Sequence, residues 1–369
     1  MKIQKVESQK QLKDFVNLPW KIYKNDPLWV PPLKLTVHQL LSPKHPFHQT
    51  AQVTLWLLIN EKNEIIGRIA TILNNFFSEK KIGHFGMFEC IEDQNASQFL
   101  LDHACQVLKS AGMTIIEGPY NLSTNYECGL LLKQSVPDSP QIMMTYNPAY
   151  YQDFLESYGF TKAMDLLAYD IPIDTEIPKR IVDQKERVEK SHRISYRCAR
   201  MDHWEEEVAI MKDIYNSAWE ENWGFVPMTD AEFNQMAKEL KPICNPRYLW
   251  FIEVEGKSVG FMVALGDYNQ VFKEIPNGKL FPFGIFKILN AKKYITRTRI
   301  VTLGIKKEYR NLGLSHFLIC QIQKEFMANP KLKKCEMSWI LENNRPMNRP
   351  LQLLGANAYK TYRIFQKEL

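Results

Sequence analysis

The sequence contains no apolar run near the roughly 18 residues that a membrane-spanning helix requires, and its opening stretch, MKIQKVESQK, lacks the apolar core of a secretory signal. Neither insertion into the bilayer nor export is therefore expected. Cysteines in a usable pattern are also missing. The seven, at 90, 105, 128, 198, 244, 320 and 335, are odd in number, scattered and never spaced C-x-x-C. This argues against a disulfide framework and a zinc site, and fits the reducing cytoplasm. His45-x-x-His48 sits in a proline-flanked loop with no Cys or acidic partner, so no metal is expected. A charge of one sign is lacking as well: 47 Lys and Arg against 41 Asp and Glu leave +6. That excess suits acidic ligands or a membrane surface but is too small to mark a nucleic-acid binder.

What is present is a folded chain of 369 residues, long enough for two domains, that states one layout twice. LWLLINEKNEIIGRIATIL (55–73) and LWFIEVEGKSVGFMVAL (249–265) each read as a hairpin opened by Leu-Trp, with Gly67 or Gly260 near the start of the second strand. Amphipathic helical patterns precede each hairpin, at 8–24 and 203–220. A strand, a helix, a strand and a short closing helix with a strand follow. In the first half these span 83–90, 95–110, 114–117, 150–158 and 161–169; in the second, 299–305, 314–327, 334–341, 351–354 and 359–365. The segment IPIDTEIPKRIVDQKERVEK (171–190) is charged and proline-punctuated and reads as a linker between domains at 1–170 and 191–369.

The strand ending Leu303-Gly304-Ile305 runs into Arg310-Asn311-Leu312-Gly313-Leu314-Ser315 and then a helical pattern, with Asn343-Asn344 after the next strand. Small residues in such a turn let main-chain N–H groups converge with the positive end of a helix, which suits a pyrophosphate. A strand followed by R-x-x-G-x-(G/A/S) and a helix, in this order of elements, resembles the GNAT superfamily of acyl-CoA-dependent N-acyltransferases. NDPLWVPPL (25–33), GPYNLSTNYECGLLL (118–132), IMMTYNPAYY (142–151) and LFPFG (280–284) further resemble bacterial two-domain GNAT-like proteins, whose members include enzymes similar to bacterial ceramide synthases. The resemblance implies an α/β fold of mixed sheets in two tandem GNAT-like domains. It also implies acyl-CoA as co-substrate, with Leu303, Gly304, Ile305, Arg310, Asn311, Leu312, Gly313, Leu314, Ser315 and Asn344 as the residues that bind it.

The first half departs from the pattern. Its strand runs into Glu92-Asp93-Gln94, two acids that would repel a pyrophosphate, so this half is degenerate at that turn and expected on the acceptor side. The second half departs too, since the tyrosine that many GNAT enzymes place seven residues after the asparagine is Leu351 here. Glu342, or Glu308 before the turn, is the candidate base. In the first half, Asn121, Ser123, Asn125, Tyr126 and Glu127 crowd one stretch after the strand at 114–117. Tyr126 and Glu127 are the acid/base candidates there, and Asn121, Ser123, Asn125, Tyr146 and Asn147 the acceptor-binding ones. Cys128, with no suitably spaced histidine, reads as a buried thiol.

The stretch KEIPNGKLFPFGIFKILNAKKYITRTR (273–299) is longer than the fold needs and borders apolar bulk with lysines and arginines. It fits a surface helix, a lining for an acyl chain, or peripheral contact with the inner membrane face through 279–293. The expected activity is acyl transfer from CoA to an amine, with a long-chain donor or a lipid acceptor. Two alternatives stay open: a FemABX-like aminoacyl transferase, and a non-catalytic tandem that binds acyl-CoA.

Overall fold

The computed structural model describes residues 1–191 and 193–369. The chain divides into two compact units. The first holds Met1–Leu166, Phe272–Leu289 and Lys360–Leu369, and the second Leu167–Val271 and Asn290–Tyr359. The amphiphilic stretch and the last strand therefore group with the first half of the chain, and the boundaries are not those expected from sequence. The segment 171–190, expected as a linker, carries the end of a strand and most of a helix, and its Ile181 is buried.

The elements in chain order are β1 (Lys2–Lys5), α1 (Gln9–Ile22), α2 (Lys34–Leu40), β2 (Ala51–Ile59), β3 (Ile65–Asn74), β4 (Ile82–Cys90), α3 (Gln94–Ser110), β5 (Ile115–Gly118), β6 (Tyr120–Asn121), β7 (Glu127–Cys128), β8 (Leu130–Gln134), α4 (Tyr150–Ser157) and β9 (Thr161–Pro172). Then follow α5 (Lys179–Ser191), β10 (Ile194–Cys198), α6 (Trp204–Trp219), α7 (Asp230–Leu240), β11 (Leu249–Val254), β12 (Lys257–Gly266), α8 (Asn269–Phe272), α9 (Ile285–Leu289), β13 (Arg297–Ile305), α10 (Leu314–Met327), β14 (Lys334–Leu341), α11 (Arg345–Leu353) and β15 (Asn357–Glu368). The closing helix of the second half is longer than expected, because Asn344 caps it and Arg345-Pro346 opens it.

In the first unit the strands run β1-β2-β3-β4-β5-β15, with β8 also on β15. Strand β3 is buried along most of its length, since α1 and α3 flank it. Helix α3 presents Ala96, Leu100, Leu101, Ala104 and Leu108, a stripe at helical spacing, to that core. In the second unit the order is β9-β14-β13-β12-β11-β10. Leu314, Phe317, Leu318, Ile322 and Phe326 of α10 pack on one face of that sheet, and Val208, Met211 and Ile214 of α6 belong to a separate cluster with Phe251 and Phe261.

Each unit contains a parallel strand pair that parts. Strands β4 and β5 pair from Ile82 opposite Ile115 to His84 opposite Glu117, and no further. Strands β13 and β14 pair from Arg297 opposite Lys334 to Ile300 opposite Met337, after which β13 continues to Ile305 alone on that side. A bulge accompanies each parting: the β12–β13 register shifts between Val263 and Ala264, at Val301, and the β3–β4 register between Arg68 and Ala70. The extra residue bends the strand away from its neighbour.

His84, at the last pair before the first parting, is buried with its ring edge-on to Phe77 and Tyr120 at 4.6 and 4.9 Å. Burial pushes its imidazole down from 6.5 to about 3. The unfolded chain therefore takes a proton that the fold refuses, so stability is full above about 6.5 and falls as the pH drops toward 3. Between those values wild type should lose about 1.4 kcal/mol more per pH unit than His84→Gln. Urea midpoints at a series of pH values check this, and parallel curves for the two proteins would refute it.

Candidate active site

The second unit's site grows out of the parted strands. The Lys306 N–H bonds the Val259 carbonyl at 2.8 Å, which sets the antiparallel alternation between β13 and β12. Gly304 then directs its N–H to β12, while Leu303 and Ile305 direct theirs to the side from which β14 has withdrawn. A Cβ on Gly304 would lie 2.4 Å from Trp219, so only glycine lets α6 approach this strand. Beyond Ile305 the chain makes a 3-10 turn, Lys307–Leu312, and reverses at Gly313 (φ 67°, ψ 26°), which opens α10 with no side-chain cap. The left-handed conformation explains the glycine. Helix α5 lies against this turn, with Gln184 Nε2 2.4 Å from where a Gly313 Cβ would stand.

Arg310 is half exposed. Its Nη2 donates to the Ala218 carbonyl at 2.6 Å, and Nη1 stands 4.0 Å from Glu221, so the guanidinium is fixed beside the end of α6. Asn311 is exposed on the turn, Leu312 and Ser315 are partly buried, and the Leu314 side chain is in the core, leaving Leu314 only its main chain to offer a ligand. Asn344 accepts from Met347 N at 3.3 Å, which ties its side chain to the start of α11. Glu342 directly follows β14 and is partly exposed, and Asn348 Nδ2 donates to its carbonyl at 3.2 Å. Leu351, where the family tyrosine would stand, is completely buried.

The first unit meets the same geometric needs from within. Asp93 Oδ1 accepts from Asn95 N and Ala96 N at 2.9 and 3.1 Å, placing a carboxylate on the N-terminus of α3. Strand β6 enters the space left by β5. Asn121 Oδ1 accepts from Met87 N at 3.1 Å, and a Cβ on Gly86 would lie 1.5 Å from the Tyr120 carbonyl oxygen. The Tyr151 hydroxyl accepts from Cys90 N at 2.7 Å and donates to Glu89 at 2.8 Å. Side chains thus occupy both the helix end and the strand amides.

The other candidates of this unit are spread out. Glu127 accepts from Asn121 Nδ2 at 3.3 Å, Ser123 Oγ accepts from Asn125 N at 3.2 Å, and Tyr126 packs edge-on to His45 and Phe47. The Tyr146 hydroxyl donates to Asp26 at 2.7 Å, and Asn147 clasps both main-chain groups of Leu131 at 2.7 and 3.1 Å.

Two buried polar clusters were not found from sequence. In the first unit Glu89 accepts hydrogen bonds from the Tyr23 and Tyr151 hydroxyls, at 3.0 and 2.8 Å, with Arg68 at 3.6 Å. Burial raises its carboxyl above the usual range while Arg68 opposes the rise. In the second unit Glu336 lies 3.7 Å from Arg299 and accepts from Ser338 and from Tyr359. The signal available was a charged residue inside an apolar strand, in RTRIVTLGI and KCEMSWIL.

No protein-family model matches the chain. It is 32% identical to Protein YghO of Escherichia coli, over 98% of this chain and 94% of that one. It is also 32% identical to the bacterial ceramide synthase of Caulobacter vibrioides, over 99% of this chain and 96% of the relative. A tandem GNAT protein from the clavulanic acid biosynthesis pathway shares the fold with a TM-score of 0.57 at 11% identity, over 100% of this chain and 98% of that one. The glucosamine N-acetyltransferase region of a fungal multi-domain β-N-acetylglucosaminidase gives 0.58 at 12% identity, with this chain spanning 38% of that longer protein. The chain belongs to the family of these two full-length relatives and has the fold of tandem GNAT proteins. Both relatives match this chain over nearly their whole length.

The internal caps make a test of the first unit. Asn121→Ala leaves the Met87 amide without its acceptor and should cost about 1–3 kcal/mol, and Asp93→Ala should cost about 0.5–2 kcal/mol while Asp93→Asn costs little. Chemical denaturation measures all three, and unchanged midpoints for both alanine variants would contradict the assignment.

Proposed function

We propose that the protein moves an acyl group from acyl-CoA to the amine of a lipid or other amphiphilic acceptor. The observation that carries this reading is the pair of main-chain amides at Leu303 and Ile305, directed into the strand parting beside a helix with no side-chain cap. The same positions of the first unit are met by the protein's own side chains.

On this reading Gly313, the first turn of α10 and Arg310 hold the pyrophosphate, where converging amides and a guanidinium favour an anion. The amide of Leu303 or Ile305 donates to the thioester oxygen and stabilises the charge that develops there. The amine nitrogen attacks the carbonyl carbon, the C–S bond breaks, the amide forms, and the thiolate takes up a proton to leave as free CoA. Glu342 takes the proton that the amine releases, and Glu127 or Tyr126 serves toward the acceptor held by Asn121, Ser123, Asn125, Tyr146 and Asn147. With Leu351 in the tyrosine's place, the thiolate's proton comes from another group or from water. On this reading the second unit holds the donor and the first unit the acceptor. A lipid acceptor is supported by the full-length ceramide synthase relative, since ceramide is an amide of a fatty acid with a long-chain amino alcohol.

Thermal shift with CoA, long-chain acyl-CoA and tRNA tests the reading. Either CoA ligand should stabilise wild type by about 2.7 kcal/mol at a hundredfold excess over Kd, and tRNA should not. Gly313→Glu and Arg310→Glu should each weaken CoA binding at least about tenfold by repelling the pyrophosphate. Undiminished binding in both variants would remove the proposed cradle, and stabilisation by tRNA alone would favour aminoacyl transfer.

A further inference from the structure

The stretch 272–289 grouped with the first unit is unusual in what it exposes. After α8 the chain makes a tight irregular turn at Leu280–Gly284, in which a Gly284 Cβ would lie 2.5 Å from the Lys279 carbonyl oxygen, and continues into the short helix α9. Phe281 is 66% exposed, Phe283 78% and Leu289 73%, and Phe286 between them is 60% exposed. Isolated apolar side chains on a surface need no explanation, but several large ones within one short turn and helix do.

The base of this turn is firmly held. Trp20 Nε1 donates to the Pro276 carbonyl at 2.7 Å, Lys34 N to the Gly278 carbonyl at 2.9 Å, and a Cβ on Gly278 would collide with Trp20. A rigid base therefore presents an apolar tip. Cations gather at the same base: the Lys34 ammonium lies 4.1 Å over the Trp20 ring, and its pKa is lowered by burial and then by the nearby charges of Lys279 and Lys13. Lys287 on α9 is close to Glu274, at 3.8 Å.

We propose that this turn docks the protein on an anionic lipid surface, with Phe281, Phe283 and Leu289 entering the boundary between headgroups and acyl chains and Lys13, Lys34 and Lys279 meeting the headgroups. Charge complementarity selects this occupant. An apolar tip on a base that carries ammonium groups matches the layered chemistry of a bilayer surface, apolar within and negative outside. Two further lysines, Lys292 and Lys293, follow α9 in the sequence. The site is distinct from the acyl-transfer residues and does not depend on that reading.

Sedimentation of the full chain with phosphatidylcholine vesicles, and with vesicles that also contain phosphatidylglycerol, tests the proposal. Wild type should pellet with the anionic vesicles, less so as salt rises, and the variant Phe281→Ser/Phe283→Ser/Leu289→Ser should bind at least about tenfold more weakly. Its thermal midpoint should remain that of wild type, since the substituted side chains are exposed. Lys13→Glu/Lys34→Gln/Lys279→Glu should lose the preference for phosphatidylglycerol. Gly313→Glu should pellet like wild type, which separates this surface from the CoA site. Wild type that stays in the supernatant, or a triple serine variant that pellets undiminished, overturns the proposal. So does concentration-dependent self-association abolished by the serine variant, which would assign the tip to a second copy of the chain.

Discussion

Two parallel strands that part cannot bond to each other, and the amides they would have shared must find other partners. In the second unit this constraint begins after Ile300 and Met337, and in the first after His84 and Glu117. It explains most of what is particular to each unit. The bulges at Val301 and near Met87 supply the bend, and the glycines next to the gap admit the close neighbours, Trp219 at Gly304 and Tyr120 at Gly86. Where the first unit closes the gap with Asn121, Tyr151 and a capping Asp93, the second leaves its strand amides and helix end without a side-chain acceptor among the described residues.

This contrast was partly legible in the sequence. The turn Arg310–Ser315 carries its signature locally, because a left-handed residue after a strand favours glycine and the helix that follows has its own period. The acids at Glu92-Asp93 were equally legible, and the cap that Asp93 makes gives that departure a structural cause. The hairpins, the helices before them and strands β5 and β14 were found where alternation and helical spacing put them.

Asn121 was harder. In sequence it belonged to a run of hydrogen-bonding residues and read as part of an acceptor site, and nothing local shows that its side-chain oxygen serves Met87, 34 positions earlier. No local pattern reports where a strand pair ends, since the ending is an absence of partners rather than a residue type. Similarly, 171–190 reads as a linker because its prolines and charges are local features, while the burial of Ile181 and the position of Gln184 over Gly313 are tertiary. The grouping of 272–289 and 360–369 with the first unit escaped for the same reason: order along the chain predicts neighbours only when connections are short.

The buried ion pairs complete the argument about the gaps. Arg68 faces Glu89 across β3 and β4, and Arg299 faces Glu336 across β13 and β14, the latter directly before the last pair of the second unit's parting strands. Such pairs add little net stability over apolar packing, yet removing one partner leaves an unsatisfied charge and is strongly destabilising. They therefore act less as adhesive than as register pins. Arg299 of β13 donates from Nε to Ser338 Oγ and from Nη2 to the Ser338 carbonyl, at 2.8 and 2.9 Å, and lies 3.7 Å from Glu336, so β14 cannot slide along β13 without breaking several bonds together. Fixing the last paired residues fixes where the first unpaired ones begin, and thus where Leu303 and Ile305 present their amides. Placing those amides needs a stiff origin for the parting, and the buried charges supply it.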